Sequence, residues 1–248
     1  MSNEKYNELN KLTFISLKVM AKNMYLPSRR SKKEYINDII DAFKEYEEYK
    51  RYKIDKYKKI RKLGNEGKEG ITYLVKNRRG KEFAMKTFKK HKSSNTLLLE
   101  YNYQKAVSKY GISPKVYEYD TVSKYIVMEK MDYHLSDTIK TNNGKLLIKY
   151  QRQIIDIFKK LDECGVFQGD SNILNYMLKD DKVYIIDFGF SKKINDKLCI
   201  KLNTKFPNLD IMTLGLILKL RELKCNSISW KYLKKHISDD NIKTFQIE

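Results

Sequence analysis

The chain has 248 residues, of which 41% are hydrophobic and 33% are charged, with only three prolines and ten glycines. This composition excludes a fibrous or disordered chain and allows one large globular domain, or a mid-sized domain with a small appendage. The net charge is +20, and lysine recurs in every segment, which fits a solubilising surface and also an affinity for polyanions.

The cysteine pattern and the hydropathy indicate the cellular compartment in which the protein is expected. Cys164, Cys199 and Cys225 lack a CxxC spacing, so we predict neither a disulfide framework nor a zinc site. The N-terminus lacks the apolar stretch of a signal peptide, and the longest apolar run, IMTLGLILKL, is about half a membrane span. We therefore expect a cytoplasmic or otherwise intracellular protein that makes no membrane contact.

The N-terminal part is predicted to be helical over residues 9–49, with a break at Leu26-Pro27. Ser31 and Glu34 have the spacing of a capping box, which marks the start of the second helix. Apolar residues then recur at helical spacing, so the segment is predicted to form a helix-turn-helix unit.

Around residue 56 the pattern changes to short strands separated by glycine and charge. We place a domain boundary near residue 54 and a boundary between two lobes near residue 131; from Leu135 onwards the pattern is mostly helical. The predicted elements between these boundaries are the strands YKKIRKL, ITYLVKN and KEFAMKTF, the helix LLLEYNYQKAVSKY, and the strands KVYEYD and KYIVMEKM.

The first two predicted strands are joined by a glycine-rich turn in LGNEGKEGITYLV. Gly64, Gly67 and Gly70 would let backbone N–H groups approach a phosphate chain, although a glycine-rich hairpin is more often only a hairpin. Lys86 then occurs within the apolar strand EFAMKTF, where an inward-facing lysine needs an acidic partner. Glu100 on the following helix is the natural partner; alternatively, both residues face water.

Two aspartates occur near the mouths of loops in FQGDSNILNYMLKDDKVYIIDFG. Asp170 lies in a polar turn, Asp187 ends an apolar strand, and Asn175 lies between them. Carboxylates at the mouths of loops can hold a metal.

The order of these features resembles the protein kinase superfamily over about residues 56–220. The resemblance implies that Lys86 pairs with Glu100 and holds the α and β phosphates of ATP, and that Asp170 accepts the proton of the attacking hydroxyl. It also implies that Asn175 and Asp187 hold Mg²⁺. The implied cofactors are therefore ATP and Mg²⁺.

The same resemblance implies an α+β, bilobal kinase-like fold with a small antiparallel N-lobe and a reduced helical C-lobe. Met128 would border the adenine pocket, and the backbone from Glu129 to Met131 would read the adenine edge. The implied domains are a helical unit at 1–53 and a kinase-like domain at 54–248, with the N-lobe at 54–131 and the C-lobe at 132–248.

Several positions depart from the common kinase pattern. Gln168-Gly169-Asp170 replaces His-Arg-Asp and looks more like the Gly-Asp form of RIO-type kinases, the small kinase of the KEOPS complex and aminoglycoside phosphotransferases. Asn172 stands where most protein kinases carry lysine. Only twenty residues separate Gly189 from Asp210, which lies in the segment KFPNLDIMTLG.

Within that segment, Asp210 to Gly215 resembles the start of the buried αF helix, and no Ala-Pro-Glu motif precedes it. The activation segment is therefore nearly deleted, and we expect constitutive activity. The chain resembles minimal kinases of large DNA viruses and bacterial effectors, which would place it in host cytoplasm or a virion. Trp230, Tyr232 and Leu233 are predicted to pack in the core.

The N-terminal unit resembles a SAP-type motif, which binds the DNA backbone through its turn and second helix. The resemblance implies a DNA contact within residues 9–43; without it, the unit would be a structural extension of the N-lobe. The implied phosphate contacts are Arg29, Arg30, Lys32 and Lys33.

The sequence thus predicts a serine/threonine kinase acting on a protein substrate, with autophosphorylation plausible. One alternative is a small-molecule phosphotransferase of the aminoglycoside type, suggested by Gly169-Asp170 and the shortened segment after Gly189. Another is a pseudokinase scaffold that binds nucleotide and is tethered through its N-terminal helices.

Overall fold

The computed structural model describes residues 2–64 and 66–247, apart from the side chains of residues 2, 3 and 49–55. The chain folds as two compact units. The first runs through Lys58 and includes Asn77–Arg79; the second consists of Lys59–Lys76 and the chain from Gly80 onwards. The predicted boundary near residue 54 lies within a helix that ends at Lys56.

Among its described residues, the first unit contains three helices, α1 (Ser2–Asn10), α2 (Phe14–Asn23) and α3 (Lys32–Lys56). The predicted helices correspond to α2 and α3. Helix α1 was not predicted beyond its last residues, because the sequence SNEKYNELN is mostly polar.

Helix α3 begins with the predicted capping box. The Ser31 hydroxyl accepts a hydrogen bond from the Glu34 backbone N–H at 3.2 Å, and the Glu34 carboxylate accepts one from the Ser31 backbone N–H at 2.9 Å. These bonds satisfy backbone donors that the first helical turn leaves unpaired. The apolar faces of the helices bury a small core that includes Leu17, Ile36 and Ile39.

The N-lobe is a five-stranded sheet in the order β1-β2-β3-β5-β4, with helix α4 between β3 and β4 in sequence. Strands β2 and β3, β3 and β5, and β4 and β5 pair antiparallel. Lys86 lies on the central strand β3, where it pairs in register with Thr72 on one side and Ile126 on the other. The elements are β1 (Tyr57–Lys62), β2 (Gly70–Asn77), β3 (Glu82–Phe88), α4 (Ser94–Ser108), β4 (Val116–Asp120) and β5 (Tyr125–Met128).

The C-lobe combines helices with short antiparallel strands. Its helices are α5 (Leu135–Thr141), α6 (Ile148–Glu163), α7 (Asp196–Leu202), α8 (Thr213–Glu222) and α9 (Asp239–Thr244). Its strands are β6 (Tyr133–His134), β7 (Val166–Phe167), β8 (Tyr176–Lys179), β9 (Lys182–Ile185) and β10 (Lys192–Lys193). A 3-10 turn at Ile173–Asn175 precedes β8, and a π-helical turn at Asn208–Met212 leads into α8; two more 3-10 turns lie at Ser227–Trp230 and Leu233–His236.

Helix α6 organises the C-lobe core because its apolar residues recur at helical spacing. Ile154, Phe158 and Leu161 are fully buried in a cluster that also contains Trp230 and Leu233, and Tyr232 packs against it. The predicted core position of these C-terminal residues is confirmed. Within the described residues, none of the helices has the length and apolar character needed to cross a membrane.

Candidate active site

Lys86 joins three elements of the second unit. Its Nζ lies 2.5 Å from Glu100 Oε1 on α4 and 3.0 Å from Asp187 Oδ1, which follows β9. Lys86 is on β3 and is mostly buried, and Glu100 is only 2% exposed. The side chains of Lys86, Glu100 and Asp187 therefore meet at one point.

The charged groups around Lys86 Nζ shift one another's pKa. Burial alone would lower the pKa of Lys86, but the carboxylates of Glu100 and Asp187 outweigh it and raise the pKa above the ordinary value. Burial alone would raise the pKa of Asp187, but the Lys86 ammonium outweighs it and lowers the pKa. Both groups are therefore charged at neutral pH.

Asp187 is held in an unusual backbone conformation. Its φ is +62°, in the left-handed region that non-glycine residues rarely adopt. Its Oδ1 also accepts a hydrogen bond from the Gly189 backbone N–H at 3.3 Å. Such strain occurs where the surrounding structure fixes a side chain for function.

Asp170 and Asn175 are hydrogen-bonded to each other within the loop between β7 and β8. Asn175 Nδ2 donates to Asp170 Oδ2 at 2.9 Å, and the Asn172 backbone N–H donates to Asp170 Oδ1 at 3.1 Å. The Asn172 side chain accepts from the Leu174 N–H at 3.0 Å and so caps the 3-10 turn that presents Asn175. The asparagine that replaces the common lysine is thus used to shape this loop.

Gln168 joins the two loops, a role that the sequence analysis missed. Its side chain is fully buried; Nε2 donates to the backbone oxygen of Asp187 at 2.7 Å, and Oε1 accepts from the Asp170 N–H at 2.7 Å. Gly169 between them has a φ of +82°, which allows the turn. The signal that was available is the position of Gln168 in place of the usual histidine.

Asn208 supports the same loop from the π-helical turn. Its Oδ1 accepts from the Gln168 N–H at 3.0 Å, while its Nδ2 donates to Asp162 Oδ1 at 2.7 Å and to the Val166 oxygen at 2.8 Å. Burial raises the pKa of Asp162 and outweighs its hydrogen bonds from Asn208 and Leu209.

Asp210, which resembles the first residue of the αF motif, accepts a hydrogen bond from the Thr204 hydroxyl. The residue that reaches the loop is Asn208, half a helical turn earlier. Both residues lie in the π-helical turn that leads into α8.

The three glycines of the predicted phosphate loop have different surroundings. Gly64 has a φ of +79°, and the Gly67 N–H donates to the Gly70 oxygen at 2.9 Å. Gly70 begins β2, where an added Cβ would lie 2.1 Å from the Thr87 oxygen. At Gly70 the missing side chain is therefore required by the close approach of β3, and a phosphate contact there stays a prediction.

The predicted adenine contacts lie where β5 leaves the sheet. Met128 is buried at the end of β5, and Met131 is buried three residues later. The Glu129 N–H donates to the Lys115 oxygen at 2.8 Å, and its carboxylate pairs with Lys179. These bonds fix the connection between the lobes.

The segment after Gly189 returns directly to the loop that carries Asp170. Strand β10 pairs antiparallel with β7, with Lys192 opposite Phe167, and α7 follows. The short segment thus forms a two-residue strand and a short helix.

In the first unit, the predicted DNA contacts have different partners. Arg29 Nε lies 2.6 Å from Asp38 Oδ2, and Lys32 Nζ donates to the Asn10 oxygen at 2.6 Å. Arg30 and Lys33 are exposed. Two of the four side chains therefore already make contacts within the unit.

Comparison with known proteins agrees with the site. Residues 57–207 match the protein kinase domain family. Because the match covers more than half of the chain, the chain belongs to this family, and its predicted α+β kinase-like fold is confirmed. The family uses ATP and Mg²⁺, as predicted.

Two relatives indicate that, within this family, the chain resembles atypical kinases. The chain is 27% identical over 124 residues to a KEOPS complex subunit Bud32 of Pyrococcus abyssi, covering 49% of this chain and 56% of the relative. It is 35% identical over 88 residues to a probable bifunctional tRNA threonylcarbamoyladenosine biosynthesis protein of Methanosphaera stadtmanae, covering 35% of this chain and 16% of the relative. The chain therefore spans little more than half of the first relative and a small part of the second.

The donor set fits Mg²⁺ bound with ATP. Asn175 uses Nδ2 toward Asp170, so its amide oxygen is the atom that suits a hard cation. The hydrogen bonds to Asp187 from Lys86 and Gly189 both fall on Oδ1, so Oδ2 is the oxygen that suits the metal.

Proposed function

We propose that the chain is an ATP- and Mg²⁺-dependent kinase that phosphorylates serine or threonine hydroxyls of proteins. The observation that carries the proposal is the position of Lys86 Nζ, 2.5 Å from Glu100 and 3.0 Å from Asp187. The adjacent loop, which Gln168 joins to Asp187, offers Asp170 and Asn175.

Bound MgATP supplies the phosphoryl group and the metal charge that neutralises it. In our proposal Asn175 and Asp187 hold the metal, and Lys86, positioned by Glu100, holds the α and β phosphates. The backbone from Glu129 to Met131 binds the adenine edge. Catalysis then depends mainly on positioning and charge stabilisation.

Asp170 is proposed to accept the proton of the attacking hydroxyl. Its two carboxylate oxygens accept hydrogen bonds from the Asn172 N–H and the Asn175 side chain, which fixes the direction of the carboxylate. Asp170 is partly exposed, so a substrate hydroxyl could reach its carboxylate.

Activity without prior phosphorylation is part of the proposal. The short segment after Gly189 is already tied to β7 through β10. An ordered segment of this kind does not need a phosphate group to become ordered.

Transfer from radiolabelled ATP tests the proposal. The intact chain, Asp170→Ala and the control Asp156→Ala, an exposed position on α6, are incubated with Mg²⁺ and generic protein acceptors. We expect label on serine or threonine that falls by at least about 10³-fold in Asp170→Ala and is unchanged in the control.

The same assay separates the alternatives. Label on an added aminoglycoside or another small hydroxyl compound, with none on protein, would favour the small-molecule phosphotransferase. Binding of MgATP without transfer to any acceptor would favour the pseudokinase scaffold.

A second candidate follows from the relatives and the charge. One relative is named as a subunit of a complex and the other for tRNA threonylcarbamoyladenosine biosynthesis, and this chain carries a net charge of +20. These features support a nucleotide-binding subunit that works with partner proteins on an RNA substrate. Copurification of partners and retention of tRNA would distinguish it from a free kinase.

For the first unit we propose a contact with DNA phosphates through Arg30 and Lys33, which are exposed. The unmodified 248-residue chain is titrated with duplex DNA at increasing salt, beside the double variant Arg30→Ala with Lys33→Ala. The double variant should lower the slope of log affinity against log salt by about 2. Lys197→Ala with Lys201→Ala removes equal charge from α7; an equal effect there would reject a specific contact.

A further inference from the structure

A second lysine is buried beside the Lys86 site. Lys92 lies in the connection between β3 and α4 and is only 7% exposed. Its Nζ lies 2.6 Å from Glu69 Oε2 in the glycine-rich loop and 3.0 Å from Glu100 Oε2 on α4. Glu100 thus binds Lys86 through one oxygen and Lys92 through the other.

Glu69 brings a carboxylate toward the centre of the site. Its Oε2 is 3.8 Å from Lys86 Nζ, and a Cβ added to Gly189 would lie 2.9 Å from the same oxygen. Oxygens of Glu69, Glu100 and Asp187 all lie within 4.8 Å of one another. Three carboxylates this close repel one another unless cations lie among them, and Lys86 and Lys92 supply two.

The backbone around this pair is also fixed. The Lys89 N–H donates to the Glu69 oxygen at 2.9 Å, which joins the loop to the end of β3. Lys124 Nζ donates to the Lys92 oxygen at 2.8 Å, which holds the connection that carries Lys92. Lys92 is therefore presented from an anchored segment.

We propose that Glu69 and Lys92 form a latch that closes the glycine-rich loop over Lys86 and Asp187 and positions it for the phosphates of ATP. Lys92 neutralises Glu69, so the closed loop does not bring an uncompensated negative charge beside the phosphates. Both are positioning residues. The inference deepens the proposed kinase function and rests on it for the nucleotide step.

The chain provides a matched control pair on the same loop. Glu66 Oε1 lies 3.2 Å from Lys89 Nζ, but these side chains are 50% and 39% exposed. Exposed pairs contribute little because water and salt screen them. If any ion pair could close the loop, removing this pair would open it equally.

The first measurement is amide hydrogen exchange without nucleotide, so it does not depend on activity. We expect Glu69→Gln to speed exchange of the Gly67 and Lys89 amides, which donate to the Gly70 and Glu69 oxygens, by at least about tenfold, and Glu66→Gln to change it by less than about threefold. Unchanged exchange in Glu69→Gln, or equal changes in both variants, overturns the latch.

The second measurement is the steady-state kinetics of transfer. A latch predicts that Glu69→Gln raises KM for MgATP by about tenfold and lowers kcat by less than about threefold. Tighter MgATP binding in Glu69→Gln would show that Glu69 blocks the site, which overturns the proposal. If the unmodified chain transfers no phosphate, the kinase function fails while the exchange result still decides the latch.

Lys92→Met tests the other half of the pair. This substitution also removes one partner of the buried Glu100 and can unfold the protein. Glu69→Gln is therefore the variant that decides whether the latch exists. If Lys92→Met folds, we expect the double variant to exchange no faster than Lys92→Met alone, because both changes break one interaction. Fully additive effects would mean that the residues act separately.

Discussion

The side chain of Gln168 donates from Nε2 to the backbone oxygen of Asp187, over 2.7 Å, and accepts from the Asp170 N–H at the same distance. One buried amide therefore fixes the spacing between the proposed base and the proposed metal ligand. A longer or shorter loop would not keep this spacing, because both bonds depend on the single turn at Gly169.

We expect Gln168→Leu to lower the free energy of unfolding by about 2–4 kcal/mol, because it leaves buried polar groups without partners. The rate of transfer should fall at least about tenfold. Chemical denaturation and steady-state kinetics measure the two effects. Gln168→His is the comparison variant and should retain more activity, because its ring can still donate to one carbonyl; equal loss in both variants would argue against a positioning role.

We expect Lys86→Met to lower kcat/KM for ATP by about 10²–10³-fold, because it removes the cation proposed to hold the phosphates. Lys90→Met, at an exposed position four residues later, is the control and should retain activity. Thermal unfolding of both variants shows whether the protein is still folded. Near-normal kcat/KM in folded Lys86→Met would contradict the proposed role.

We expect Asn208→Leu to destabilise the protein by about 2–4 kcal/mol, because Asp162 and the Gln168 N–H lose their partner while buried. Asn203→Gly is the control: Asn203 has a φ of +52°, which glycine adopts without strain. Denaturant titration of both variants tests this. A loss in Asn208→Leu no larger than in the control would show that the π-helical turn does not support the loop.

In acid, the free energy of unfolding should depend on pH through the titration of Asp187. Its pKa is lowered from 3.8, so its contribution to folding is present above that value and is lost as the pH falls through the lower folded pKa. The pKa of Lys86 is raised from 10.5, so its contribution is present below that value and is lost as the pH rises through the higher folded pKa. Between about pH 5 and 9 neither contribution changes.

The difference in unfolding free energy between the unmodified chain and Asp187→Asn should therefore be constant between about pH 5 and 9 and shrink in stronger acid. Denaturant titrations at each pH measure it. Asp240→Asn, which removes an exposed carboxylate on α9, is the control. A difference that changes across neutral pH would mean that the Lys86–Asp187 pair is not what the substitution removes.

Much of the fold could be predicted because its signals are local. The Ser31 and Glu34 capping box and the lysine within a strand each depend on a few neighbouring residues. The order of these signals along the chain then indicated the family. The N-lobe strands were likewise predicted from short apolar runs separated by glycine and charge.

The supporting residues could not be predicted because their partners are distant in sequence. Glu69 and Lys92 are ordinary charges in a chain with 51 lysines and arginines, and only folding brings them together. Asn208 is bonded to Gln168 and Asp162, which lie 40 and 46 residues away in sequence, so a local pattern does not reveal its role. Sequence patterns indicate the residues that are proposed to bind ligands or take part in catalysis, and rarely the residues that position them.

The sharing of Glu100 between two lysines restricts how chemical inhibitors could work. A compound that fits only when α4 swings outward must separate both ammonium groups from a glutamate that is 2% exposed. Such compounds would bind weakly here, and molecules shaped for the inward position of the helix would be favoured in a screen.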